Sequence, residues 1–354
     1  MSLKRQSQFL KKRLLNKIQQ YTKSKGADFF SALFVFIRRK VMCTAISFKT
    51  KNHYFGRTLD LDYHYNESVV ITPRKFSFRF RNGKEIENHF AIIGIATVID
   101  DYPLYYEATN EKGLSIAGLN FPHNAHYFPV CDSKENLASF ELIPWMLSQF
   151  AGVDEVKENL NKINIADIDF SEKFKASPLH WIVADKKECI TVECVEEGLK
   201  IYDNPLGVLT NNPPFDWQIK NYEGTIGSLG KEEADPKTSS KGLDAFGLPG
   251  DLSSPSRFVK LAFAKEKSVC GETEEESVTQ FFHILGTVNT PRGFISDNYM
   301  TVYTSCCNTD KGIYYYTTYG NSQINAVDMN NENLDSDSLV SYPLVTRQQM
   351  NRIN

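Results

Sequence analysis

The residues of this chain able to do covalent or acid-base chemistry include seven cysteines, at 43, 131, 189, 194, 270, 306 and 307, and seven histidines, at 53, 64, 89, 123, 126, 180 and 283. A thiolate is a strong nucleophile once a base takes its proton, so a cysteine with a partnered histidine would suit papain-like acyl transfer. Nothing in the spacing pairs them, and no cysteine lies in the Gly/Ser-rich, aromatic-flanked setting of the papain signature. The cysteines form no C-x-x-C pair and no Cys/His cluster at zinc spacing. His123 and His126 are three apart, yet they lie outside any helical pattern and have no third ligand nearby, so no metal is expected. Asp60 with Asp62, and Asp100 with Asp101, could pass for glycosidase carboxylates, a class defined by geometry that a sequence does not show.

Five segments stand out by their order along the chain. They are Met42-Cys43-Thr44, Gly56-Arg57-Thr58-Leu59-Asp60, Ala117-Gly118-Leu119-Asn120-Phe121-Pro122, Gly207-Val208-Leu209-Thr210-Asn211-Asn212-Pro213, and Leu248-Pro249-Gly250-Asp251 leading to Ser256-Arg257-Phe258. Taken singly, each has an ordinary structural explanation: an idle thiol, a surface ion pair, a turn asparagine, a solvated helix arginine. Together, in this order and spacing from Met42 almost to the C-terminus, they resemble the choloylglycine hydrolase family, whose members include bile salt hydrolases and penicillin V acylases.

The resemblance implies an N-terminal-nucleophile hydrolase with six catalytic positions. Cys43 would be the nucleophile, and its own α-amine, with an ordinary pKa near 8, would accept the thiol proton. That amine exists only where the peptide bond before Cys43 has been cut. Arg57 would favour the thiolate, and Asp60 would accept a hydrogen bond from the amine and orient it. Asn120 and Asn211 match the family's donors to the tetrahedral oxyanion, and Arg257 matches its second active-site arginine. Leu59, Ile99, Phe170 and Phe174 fall where the bile salt group places sterol-contacting side chains, and an apolar cleft suits such a ligand. Asparagine at 120 resembles that group, where tyrosine would resemble the penicillin V group.

The expected substrate is therefore a conjugated bile salt cut at its glycine or taurine amide, with no cofactor and no metal. The alternatives are an acylase for penicillin V or acyl-homoserine lactones, and an unprocessed, inactive binding protein. The resemblance also implies a tetramer.

The elements that must carry these residues alternate in type. Thr44–Phe48, Ser68–Thr72, Phe76–Phe80 and Ala91–Ile99 read as strands, then residues 140–150 and 154–163 as helices. Leu179–Asp185, Cys189–Val195 and Leu199–Asp203 read as a meander, residues 256–265 and 274–285 as helices, and residues 299–306 and 312–318 as a closing hairpin. Ser256 is placed to cap its helix, and Glu274 to Glu276 put acids in a first turn, where the dipole favours them. The order is α+β with antiparallel pairing, which the resemblance makes a four-layer αββα sandwich of two antiparallel sheets. Residues 223–251, rich in Gly, Ser, Lys and Asp, read as a surface excursion.

Composition sets the class. The 354 residues carry a formal charge of -3 and 41% hydrophobic residues, as in an ordinary globular protein, and that charge gives no general reason to expect nucleic acid binding. Residues 1 to 41 differ: they hold 11 Lys and Arg against a single acid, Asp28, leaving 29 basic and 42 acidic residues for the remainder. Their apolar run, residues 29–37, is too short to span a bilayer and ends in Arg38-Arg39-Lys40, where a signal peptidase would need small residues. The expectation is a basic leader at 1–42, either preceding the true start at Met42 or removed by self-cleavage, and one catalytic domain at 43–354. An odd number of scattered cysteines in so large a chain points to a reducing cytoplasm.

Overall fold

The computed structural model describes residues 42–229 and 245–354, so all but the last residue of the leader expected at 1–42, and the middle of the expected surface excursion, lie outside the described residues. Residues from Met42 onward form one compact unit. In chain order its strands and helices begin with β1 (Met42–Lys49), β2 (His53–Leu61), β3 (Ser68–Thr72), β4 (Phe78–Arg79), β5 (Glu85–Ile86), β6 (Ile92–Ile99), β7 (Tyr102–Asn110) and β8 (Ser115–Asn120). There follow β9 (Glu135–Ala138), α1 (Leu142–Gln149), α2 (Val153–Asn159), β10 (Ile163–Ala166), β11 (Leu179–Ala184), β12 (Cys189–Val195), β13 (Gly198–Asp203) and β14 (Val208–Leu209). The last are α3 (Phe215–Ile226), α4 (Ser254–Lys267), α5 (Glu274–Gly286), β15 (Met300–Asn308), β16 (Ile313–Thr318), β17 (Asn321–Asp328) and β18 (Val340–Pro343).

Two large sheets result, both antiparallel. One has the order β14-β1-β2-β15-β16-β17, the other β13-β12-β11-β8-β7-β6-β3-β18. Helix α1 packs on β7 and β8, helices α4 and α5 pack on β1, β2 and β15, and β1 and β2 face β7 and β8 across the middle. The layers therefore run helix, sheet, sheet, helix, as expected from the resemblance. The outer interfaces are apolar: Leu142, Trp145, Met146, Leu147, Val153 and Val156 cover Ile116, Trp181, Val183 and Val192 on one side. On the other, Phe281 of α5 meets Phe48 of β1 edge to face at 6.3 Å. Each such fully buried aliphatic or aromatic side chain contributes about 1.5–3 kcal/mol.

Strand β2 is buried at all nine residues, including Arg57, Thr58 and Asp60. A strand central in its sheet and covered on both faces loses the alternation that marks a half-exposed strand. Gly56 allows it to lie against β15, since a β-carbon there would sit 2.1 Å from the Ser305 carbonyl oxygen.

Several boundaries differ from the sequence-based expectation. The expected strand at 76–80 shrinks to Phe78–Arg79 in a two-residue pairing with Glu85–Ile86. The expected helix at 154–163 stops at Asn159, because Ile163 begins a strand in parallel register with Glu135; that pairing overrides local propensity. Ser256 does not cap α4: the helix begins one turn earlier with Ser253 as N-cap, and the Ser256 hydroxyl instead donates to Asp251 at 2.7 Å. The acidic first turn of α5 is present, with Thr273 and Glu276 forming a reciprocal capping box. Helix α3 was not anticipated, since its inward face carries the wholly buried Gln218 beside Phe215 and Tyr222 and so lacks a clean apolar stripe.

Candidate active site

Cys43 is the second residue of β1, in register with Leu59 of β2 and almost fully buried. Its backbone nitrogen donates to Asn211 Oδ1 at 2.9 Å, and the same oxygen accepts from Arg257 Nη2 at 2.7 Å. Asn211 Nδ2 donates to the backbone carbonyl of Asn120 at 2.7 Å. With two donors on one oxygen and an acceptor against the nitrogen, the orientation of the Asn211 amide is fixed. Arg257 also grips the strand from below the cysteine: Nη1 donates to the Cys43 carbonyl at 2.6 Å and to Thr44 Oγ1. Its Nε bonds the Leu252 carbonyl at 3.0 Å.

Asn211 is braced in turn. Its backbone nitrogen bonds Ser254 Oγ at 2.8 Å, and its carbonyl accepts from Gln218 Nε2 at 3.2 Å. Gln218 and Ser254, missed in the sequence, would have been hard to find there: each is an unremarkable polar residue whose role comes from long-range packing.

Arg57 projects into the layer between the sheets. Its Nη1 donates to the carbonyls of Tyr106 at 3.0 Å and Gly118 at 2.7 Å, both on the opposing sheet. Asp60, three residues on, accepts from Thr301 Oγ1 at 2.5 Å through Oδ1, while its buried Oδ2 has no hydrogen-bond partner among the described residues. The expected bond from the Cys43 nitrogen to Asp60 is not the one formed. Here that nitrogen belongs to a peptide and has a single proton, which goes to Asn211. The Met42 nitrogen donates to Tyr299 Oη at 2.8 Å, another contact not foreseen.

The electrostatics follow from this burial. Burial pushes the Cys43 thiol up from its ordinary value; Arg57, a hydrogen bond from the Asn120 backbone N–H and Arg257 pull it down, while Asp60 pushes it further up. Burial likewise carries Asp60 to about 6, against the pull of Arg257, the Thr301 hydroxyl and Arg57. Asn120 thus meets the cysteine through its backbone, a contribution no side-chain reading of the sequence could supply.

All six residues singled out for catalysis are in or against this buried cluster. The four singled out for substrate divide. Leu59 is buried on β2 alongside Cys43. Phe170 and Phe174 meet edge to face at 6.4 Å, and Phe170 also meets Tyr102 at 5.8 Å and Phe140 at 5.2 Å. Ile99 joins this group through its strand pairing with Tyr102. Arg81 lies 5.0 Å from the Phe170 ring centre and 5.7 Å from that of Phe140, and its Nη2 donates to the Phe170 carbonyl at 2.8 Å. Among the described residues no group of three or more His, Cys, Asp or Glu is placed to hold a metal ion.

A buried cysteine near the head of β1, an asparagine amide and an arginine guanidinium bonded to its backbone, and a sandwich of two antiparallel sheets between helices match the N-terminal-nucleophile hydrolase architecture. Residues 43–342 match the model of linear amide C–N hydrolases, the choloylglycine hydrolase family. A bile salt hydrolase/transferase from Lactiplantibacillus plantarum is 52% identical over 324 residues, covering 88% of this chain and all of that protein. One from Clostridium perfringens is 38% identical over 329 residues, with the same coverage. Among solved structures, an arginine-to-leucine variant of the conjugated bile acid hydrolase from Clostridium perfringens matches with a TM-score of 0.81 at 38% identity, over 88% of this chain and all of that one. The penicillin V acylase from Agrobacterium tumefaciens shares the fold, with a TM-score of 0.68 at 18% identity over 86% of this chain and 92% of its own. The chain belongs to the choloylglycine hydrolase family and is a hydrolase of linear amide C–N bonds.

Proposed function

We propose that this enzyme hydrolyses the amide joining a bile acid to glycine or taurine, through a thioester on Cys43. The observation that carries the assignment of the nucleophile is the Asn211 bridge, which ties the Cys43 nitrogen, Arg257 and the Asn120 carbonyl into one rigid cluster. Bile salt as substrate is supported by the names of the relatives at 52% and 38% identity. Asparagine at 120 and the aromatic group around Phe170 agree with it.

In this reading the active chain begins at Cys43, residues 1–42 are absent from it, and residues 43–354 are a single catalytic domain. The freed α-amine takes the thiol proton, and Asp60 Oδ2, buried and without a hydrogen-bond partner among the described residues, receives a hydrogen bond from the resulting ammonium. Sulfur attacks the amide carbonyl carbon. The oxyanion is held by the second Nδ2 proton of Asn211 and by Asn120. Collapse breaks the C–N bond, and the ammonium returns its proton to the departing glycine or taurine nitrogen. Water then attacks the thioester, releasing the bile acid and restoring the thiol. Arg57 and Arg257 stabilise the anionic sulfur throughout, and Leu59, Ile99, Phe170 and Phe174 contact the sterol. No cofactor takes part.

Among the described residues no helix is long and apolar enough to cross a membrane. We place the enzyme in the cytoplasm as a homotetramer. The deciding assay offers glycine- and taurine-conjugated bile salts and penicillin V to one preparation; exclusive turnover of penicillin V overturns the substrate assignment.

A further inference from the structure

Glu107 stands in β7, the middle of the eight-stranded sheet, and is wholly buried. Its carboxylate lies 3.7 Å from Arg57 Nε. Three hydroxyls from the facing sheet donate to it: Tyr303 at 2.8 Å, Ser305 at 3.0 Å, and Tyr314. A charged residue so deep in a core survives only when paired and hydrogen-bonded, and three hydroxyl donors plus a guanidinium match the ionised carboxylate. Burial pushes the Glu107 carboxyl up from its ordinary value, and Arg57 and the three hydroxyls oppose that.

Glu107 is the only carboxylate in ion-pair reach of Arg57 among the described residues, and the guanidinium's other bonds go to neutral carbonyls. Its Nε bonds the Thr58 carbonyl at 3.3 Å, Nη1 serves two carbonyls, and Nη2 is buried without a hydrogen-bond partner among the described residues. Burial works against its charge, and Cys43, Tyr303, Glu107 and Asp60 act to hold it. Arg57 is thus the link between the sulfur and the Glu107 hydroxyl cluster.

We infer that Glu107 is a positioning residue of the hydrolase site: it fixes the Arg57 guanidinium in place for Cys43 and so governs how readily that sulfur becomes thiolate. The inference rests on reading Cys43 as the nucleophile and Arg57 as its counter-charge. Glutamine at 107 keeps the shape but turns an amide NH2 toward donors that need an acceptor, which displaces the guanidinium.

The test measures alkylation of Cys43 by iodoacetamide across pH in the processed enzyme, read by mass spectrometry on the peptide that bears it, beside kcat and KM for a glycine-conjugated bile salt. In Glu107→Gln the alkylation midpoint should rise by about one pH unit and the rate at pH 7 fall about tenfold, since only thiolate reacts. The value of kcat should fall at least about tenfold with KM changed less than about twofold. In an Arg57→Leu background the same substitution should add nothing beyond about twofold, because its effect runs through Arg57. Tyr303→Phe and Tyr314→Phe, which remove a donor and add no polar group, should each raise the midpoint by a smaller amount; they carry the test if Glu107→Gln does not fold. An unchanged midpoint in these variants, or a slowing that persists in full without Arg57, overturns the inference. Hydrolysis by Cys43→Ala overturns instead the nucleophile assignment beneath it.

Discussion

At the scale of single residues the site is a contest between burial and charge. Cys43→Ala should abolish hydrolysis and leave the thermal unfolding midpoint nearly unchanged, since a small side chain contributes little packing; turnover by that variant, followed by release of glycine or taurine, would refute its role. Asn211→Ala should lower kcat by roughly 10²-fold with a modest change in KM, the usual result of losing one oxyanion donor. A collapse of affinity with kcat intact would make Asn211 a binding residue instead. Asp60 shows the contest most openly. Its folded pKa, about 6, stands above the ordinary 3.8, so the stability it contributes is fully present below about pH 3.8 and is lost as pH rises through about 6. In chains that retain Met42, Asp60→Asn should therefore melt higher than the parent at pH 8, with the advantage vanishing near pH 4, while the processed variant is inactive. Cys43, Arg57, Asp60 and Arg257 were legible in the sequence because their motifs keep strict order and spacing. The backbone N–H of Asn120 and the brace from Gln218 were not, because a main-chain donor has no residue signature and Gln218 acts across a packing interface.

Elements explain the rest of what could and could not be read. The meander of β11, β12 and β13 and the hairpin of β15 and β16 announced themselves by polar turns between apolar runs. Strand β2 did not alternate, because both its faces are covered, yet it carries Arg57 and Asp60. Its closeness to β15 depends on Gly56, and Gly56→Ala should cost about 2–3 kcal/mol in denaturant unfolding, since a backbone carbonyl cannot move aside as a side chain can. A variant as stable as the parent would show the two strands to be looser than described. On the substrate side, Arg81 ties the segment bearing Phe170 to the β4–β5 turn. Arg81→Ala should raise KM for conjugated bile salts about fivefold with little change in kcat, reflecting the loss of one stacked cation and one hydrogen bond. Equal losses in kcat and kcat/KM would place Arg81 in the chemistry instead.

At the scale of the whole molecule the decisive experiment concerns where the chain starts. Protein produced from Met42 should be fully active once the methionine is removed, and protein retaining residues 1–42 uncut should be inactive, because a peptide nitrogen has no basic lone pair. Mass spectrometry of each N-terminus, set beside the bile salt assay, decides it: full activity with an intact leader would send the search for a base back to the seven histidines. The two-sheet frame bears on this through the place where β1 is fastened. From Thr44 onward the strand pairs with β2 at every residue, and Arg257 clamps the Cys43 carbonyl itself. Ahead of the cysteine there is the Met42 register with Asp60 and the bond to the Tyr299 phenol. The chain is thus moored on both sides of the Met42–Cys43 bond and more heavily on the downstream side, like a mast stepped at its foot. Cutting that bond, as the proposed processing requires, would leave Cys43 held by the same downstream contacts.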